Sequence, residues 1–133
     1  MEKFTVSLPL TGEYLTTVRL TTGGLCSLVG FDVDTAEDFK VCVTESLLIL
    51  KRNGFTTATI AFEVDELLSC SVCGAERGGE KDLGMEDEIS RALLEALLGK
   101  VEFVCDNAGT VEKIKTAEYV QLALEGREHE AVQ

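Results

Sequence analysis

Two alternating stretches sit almost back to back, directly behind a helical one, and this order restricts the fold more than any other feature of the chain. Ala58, Ile60, Phe62 and Val64 alternate with Thr57, Thr59, Ala61 and Glu63, and Leu68, Cys70 and Val72 alternate with Ser69 and Ser71. That is the period of strands buried on one side. Only Asp65-Glu66 and Leu67 separate the two runs, so a tight antiparallel hairpin is expected. Ahead of it, Phe39, Cys42, Val43, Ser46, Leu47 and Leu50 form one stripe of a helix over about 35–52. Asp34, three residues before Glu37, reads as its capping signal, and Asn53-Gly54 as its stop.

The flanking chain extends this pattern. Phe4, Val6 and Leu8 alternate with polar neighbours, then a helical pattern places Tyr14, Val18, Leu25, Leu28 and Val29 near one face. Residues 74–84 read as a glycine- and charge-rich loop. A second strong helix is expected over 85–98, with Ile89, Leu93, Leu94 and Leu97 apolar. A hairpin follows from 100–105 and 110–116 around Asp106-Asn107-Ala108-Gly109, then a weak helix over 117–124. Residues 1–125 are read as one domain and 126–133 as a flexible tail, which holds His129 with no catalytic partner nearby in sequence. Hairpin-linked strands make the sheet mostly antiparallel. Three amphipathic helices bury their stripes by covering one of its faces, which gives an α+β, two-layer α/β sandwich.

Composition limits the functions open to such a fold. The chain has 133 residues and a net charge of −12, which repels nucleic acid and anionic lipid. Its acidity suits a basic protein partner. No apolar run approaches a membrane span, and the start Met1-Glu2-Lys3-Phe4 lacks the features of a signal peptide. The cysteine count is odd, five, at 26, 42, 70, 73 and 105, which fits reduced thiols and a cytoplasmic location. Cys70 and Cys73 spell C-x-x-C. Residues three apart on a strand point to opposite faces, and a lone pair cannot complete a four-ligand site, so no metal is expected there.

Several segments together resemble the bacterial anti-sigma factor/serine-protein kinase family, which has a histidine-kinase-like ATPase fold. They are Tyr14 to Leu20, Gly30-Phe31-Asp32-Val33-Asp34, Glu37 to Glu45, Ala92 to Phe103, and Gly109-Thr110-Val111. The resemblance spans residues 4–116 and implies the same sandwich. It also implies a protein partner, either a sigma factor or an anti-anti-sigma antagonist, and a homodimer. Family members hold ATP and magnesium, and many phosphorylate a serine on an antagonist protein.

Carried over by position, the resemblance makes Glu45 the catalytic base of a Glu-x-x-x-Asn motif, whose asparagine is replaced by Ile49. Isoleucine offers no oxygen to Mg²⁺. Asn53, a turn further on, is read as a helix cap instead. In the Asp-x-Gly-x-Gly motif Gly74 and Gly78 remain, but Val72 stands where the family's aspartate accepts from adenine. The glycines before the last helix fall at Glu88 and Ser90. Glu86, Asp87 and Glu88 crowd that helix start and would repel a triphosphate, since two unit charges about 4 Å apart repel by roughly 4 kcal/mol at an intermediate dielectric. Thr110 matches the closing Gly-Thr pair. Glu45, Ile49, Gly74, Gly78 and Thr110 are thus the remnants of a nucleotide site. The expected function is an anti-sigma-like binding protein without kinase activity or cofactor. The alternative is an active serine kinase that uses ATP and Mg²⁺ with Glu45 as base.

Overall fold

The computed structural model describes residues 2–97 and 100–119. Strand β1 (Glu2–Pro9) leads into helices α1 (Gly12–Leu28) and α2 (Val33–Arg52), then the hairpin of β2 (Asn53–Val64) and β3 (Leu67–Lys81). Helix α3 (Met85–Leu97) and the hairpin of β4 (Lys100–Cys105) and β5 (Val111–Tyr119) follow. The strands form one sheet in the order β1-β2-β3-β5-β4, antiparallel throughout. This is the expected two-layer α+β sandwich.

Register explains which face the helices cover. Val6 pairs with Ile60, Ile60 with Val72, Val72 with Ile114 and Ile114 with Phe103, so one apolar row crosses all five strands. Ile60, Phe62, Leu68, Cys70, Val72 and Ile114 are almost wholly buried there. Helix α2 lies on this row and buries Phe39, Cys42, Val43, Ser46, Leu47 and Leu50, the stripe read from the sequence. Directly paired residues share a face. The opposite face therefore carries Ser7, Thr59, Ser71, Cys73, Lys113 and Lys115, and no helix among the described residues covers it.

Four expectations need correction. The cap of α2 is Asp32, whose Oδ1 accepts from the Thr35 N–H at 2.7 Å, and Asp34 falls within the first turn instead. Residues 74–81 are not a loop, because β3 runs on to Lys81 and pairs with the start of β2. Residues 117–119 continue β5 rather than opening a helix, since Ala117 and Tyr119 pair with Ser69 and Leu67. Along α1 the inward residues are Val18, Thr22 and Cys26, while Tyr14 and Leu28 face solvent. The tail 126–133 and His129 lie outside the described residues.

Candidate functional site

Glu45, Ile49 and Arg52 stand on α2 at i, i+4 and i+7, which puts them on one line. Helix α3 lies along that line. The Ser90 hydroxyl donates to Glu45 Oε2 at 2.6 Å, and Arg52 donates to Ser90 Oγ at 2.8 Å. Ile49, between Glu45 and Arg52, is fully buried in the core. Arg52 also approaches the Glu86 carboxylate at 3.9 Å, and its carbonyl accepts from the Asp82 N–H. Only Asp82, Leu83 and Gly84 separate β3 from α3. The segment 74–84, expected as a loop, is therefore mostly strand, and α3 begins within hydrogen-bonding reach of α2.

The other expected site residues are spread around this line. Asn53 ends α2: its Nδ2 donates to the Ile49 carbonyl at 2.8 Å, and its Oδ1 accepts from the Val111 N–H at 3.1 Å. It is 1% exposed, so both bonds are made away from water. Thr110 is buried as well, and its hydroxyl accepts from the Lys81 ammonium. Gly74 is held by an aromatic ring. A Cβ built there would meet the Phe55 ring at 2.5 Å, so only a hydrogen fits beneath Phe55. Gly78 has no such need, since its Cβ would meet only Thr56 Cγ2 at 3.5 Å.

A second polar cluster closes the β4–β5 turn. Arg77 lies over the Phe55 ring, 5.0 Å from its centroid, and pairs with Asp106 at 2.9 Å and Glu112 at 3.2 Å. Asp106 Oδ1 also accepts from the N–H groups of Ala108 and Thr110. The Arg77 guanidinium, helped by those N–H groups, holds the Asp106 carboxyl below the ordinary value of 3.8. Gly109, at φ 82°, turns the chain here.

Glu45 and Ile49 therefore come together, while Gly74 and Thr110 take separate structural tasks and Gly78 makes no contact that requires a glycine. The sequence reading missed Ser90 as the partner of Glu45. Ser90 is buried on α3 with Asp87 and Leu94, but nothing in their spacing points to a residue of another helix. The sequence reading also missed Phe55, whose fit over Gly74 depends on register shifts between Asn53 and Ala58 that periodicity does not reveal.

Among the described residues, depressions of different size open on the surface. One of about 690 Å³ lies on the uncovered sheet face between Ser71, Glu102 and Lys115. Another, of about 540 Å³, is lined by Phe55, Gly74 and Arg77. A third, of about 240 Å³, lies at the start of α3. Glu45 and Ile49 line none of these three. Among the described residues no group of three or more His, Cys, Asp or Glu side chains is placed to hold a metal ion. No helix of the described residues is long and apolar enough to cross a membrane.

Burial raises the thiols of Cys26 and Cys42 to about 11 and about 12, and that of Cys70 higher still. Such groups stay protonated and unreactive at neutral pH. Cys73, on the opposite face of β3 from Cys70, is half-buried, and Cys105 is exposed.

No protein-family model matches the chain, and no curated protein matches it. Among solved structures it is similar to the RsbU and RsbW domains of Rv1364c from Mycobacterium tuberculosis, with a TM-score of 0.67 at 16% identity. That alignment covers 90% of this chain and 32% of the other, so the chain spans about a third of that protein's length. At this identity the likeness is one of fold.

Proposed function

We propose that the chain is a regulatory protein of the anti-sigma type, which binds a sigma factor or an anti-anti-sigma antagonist and transfers no phosphate. The observation that carries this reading is the contact of α3 with the line Glu45–Ile49–Arg52 on α2. A base must be free to reach its substrate's proton. Glu45 instead accepts a hydrogen bond from Ser90, an internal hydroxyl that is 3% exposed. The position that would offer magnesium an oxygen is a buried isoleucine, and Val72, in the place of the adenine-reading aspartate, is buried in the sheet core. The residues present do not fit a magnesium–nucleotide complex.

The regulatory half of the reading is supported by the fold shared with the RsbU and RsbW domains and by the acidic surface, which suits basic partner segments. A homodimer in the cytoplasm belongs to the same reading. It is supported by the resemblance and by five thiols that form no disulfide.

Calorimetric titration with ATP and Mg²⁺ is the test. No heat up to millimolar nucleotide is the expected result. Micromolar binding that disappears in Glu45→Ala would overturn it in favour of an active serine kinase. Purification from the native organism that recovers no transcription regulator would overturn the partner-binding half.

A further inference from the structure

Helix α3 is arranged against the usual hydrophobic logic. Its buried residues are Asp87, Ser90 and Leu94. Its outward residues include Met85, 75% exposed, and Ile89, 58% exposed, with Leu83 exposed just ahead of them. Ile89, one of the apolar residues read along this helix, is turned outward by the Glu45–Ser90 contact. Met85, Ile89, Ala92 and Ala96 follow at i, i+4, i+7 and i+11, so they form one continuous line on the solvent side. A helix stabilised only by its own core would bury Met85 and Ile89, each of which gains about 1.5–3 kcal/mol on leaving water.

The border of this stripe is acidic. Glu86, Glu88 and Glu95 are exposed on α3. Of the nearby basic groups, Arg52 approaches Glu86 at 3.9 Å, and two others are engaged elsewhere. Arg91 donates to Asp87 at 2.9 Å and lies over the Phe103 ring, and Lys81 bonds Thr110. We propose that the outward face of α3 docks a basic amphipathic helix of a partner protein. Its apolar side would lie on Met85, Ile89, Ala92 and Ala96, and its lysines or arginines would reach Glu86, Glu88 and Glu95. A second copy of this chain is disfavoured at this face, because it would set Glu86, Glu88 and Glu95 against another set of the same carboxylates. The unbranched Met85 side chain suits a surface that must accept another helix.

The inference rests on the partner-binding reading only for its biological use. Its experiment needs no native partner, so the two can fail separately. The probe is a synthetic peptide of about 18 residues with leucines at helical spacing and lysines elsewhere, a length that gives a helix five turns. It is titrated into the isotope-labelled full chain by NMR, with a scrambled peptide of the same composition alongside.

Saturable binding with shifts confined to residues 83–97 is expected for the amphipathic peptide alone. The double variant Met85→Gln/Ile89→Gln should bind about tenfold or more weakly, as loss of a central apolar anchor does, with its melting temperature unchanged. Equal binding of the scrambled peptide, shifts centred elsewhere, or no binding would overturn the proposal. So would peptide-free, concentration-dependent shifts at Met85 and Ile89, which would mark a second copy as the occupant.

Discussion

The hairpin of β2 and β3 has two halves that are built in different ways. From Ala58 to Val64, paired with residues 68–74, the register is unbroken and alternate side chains enter the core. From Asn53 to Thr57, paired with residues 76–81, the register shifts repeatedly, and order comes from specific contacts. Asn53 bonds two backbone groups, Phe55 covers Gly74, and Arg77 lies on Phe55. The regular half is held by apolar area, and the irregular half by polar satisfaction and exact fit. The two should therefore fail under different substitutions.

The largest effect is expected in the regular half. Phe62 is 1% exposed and packs against Phe4 with ring centroids 6.2 Å apart. Truncation leaves a cavity that the surrounding strands cannot close. Phe62→Ala should cost about 3–5 kcal/mol in chemical denaturation. A loss under about 1 kcal/mol would mean that apolar burial is not what holds this half.

This division also explains what could be read from the sequence. Burial on one side imposes a period of two, so Ile60, Phe62, Cys70 and Val72 announced their strands and their shared face. The α2 stripe declared itself by the same logic at helical spacing. The continuation of β3 through 74–81 was hidden because its residues are glycines and charges with no alternation, and its pairing is set by contacts to β2. The Glu45–Ser90 contact was hidden because it joins residues on separate helices. Asp32 was passed over as the cap because Asp34 offered the better-known spacing to Glu37, while the backbone bond that decides the matter is made two residues earlier.

In the irregular half the largest response should come from Asn53. Asn53→Ala removes the donor to the Ile49 carbonyl and the acceptor of the Val111 N–H, both buried. Each unsatisfied buried group costs about 1–3 kcal/mol, so a total loss of about 3 kcal/mol is expected. Asn53→Asp keeps the acceptor but sets a buried carboxylate oxygen against the Ile49 carbonyl, so near neutral pH it should be at least as damaging as alanine. A loss under about 1 kcal/mol for alanine would mean that these two bonds carry nothing.

Gly74 and Gly78 sharpen the comparison, because the resemblance places them in a single motif and the fold treats them differently. Gly74→Ala drives a methyl into the Phe55 ring. Overpacking of this kind costs about 1–3 kcal/mol. Gly78→Ala meets only ordinary contact and should be neutral or slightly stabilising, by about 0.5 kcal/mol. Combining Gly74→Ala with Phe55→Leu should be less damaging than the two single losses added together, since the second change removes the obstacle. Additive losses would show that Gly74 is sensitive for a reason other than Phe55.

The smallest effect concerns charge at the end of the irregular half. Asp106 titrates below 3.8 because Arg77 and two backbone N–H groups favour its carboxylate. A carboxyl with a lowered folded-state pKa contributes stability that is fully present above its unfolded value. That contribution is lost as pH falls through the lower, folded value. The stability difference between the wild type and Asp106→Asn should therefore be constant near neutrality, shrink below about pH 4 and vanish in stronger acid. Because Arg77 is half exposed, added salt should also reduce the difference at neutral pH. Thermal melts of both proteins from pH 7 to pH 2 would decide the matter. A difference that stays unchanged across that range would assign Asp106 to the turn alone. The contact from Arg77 to Asp106 would then be a surface pairing without a share in holding the irregular half.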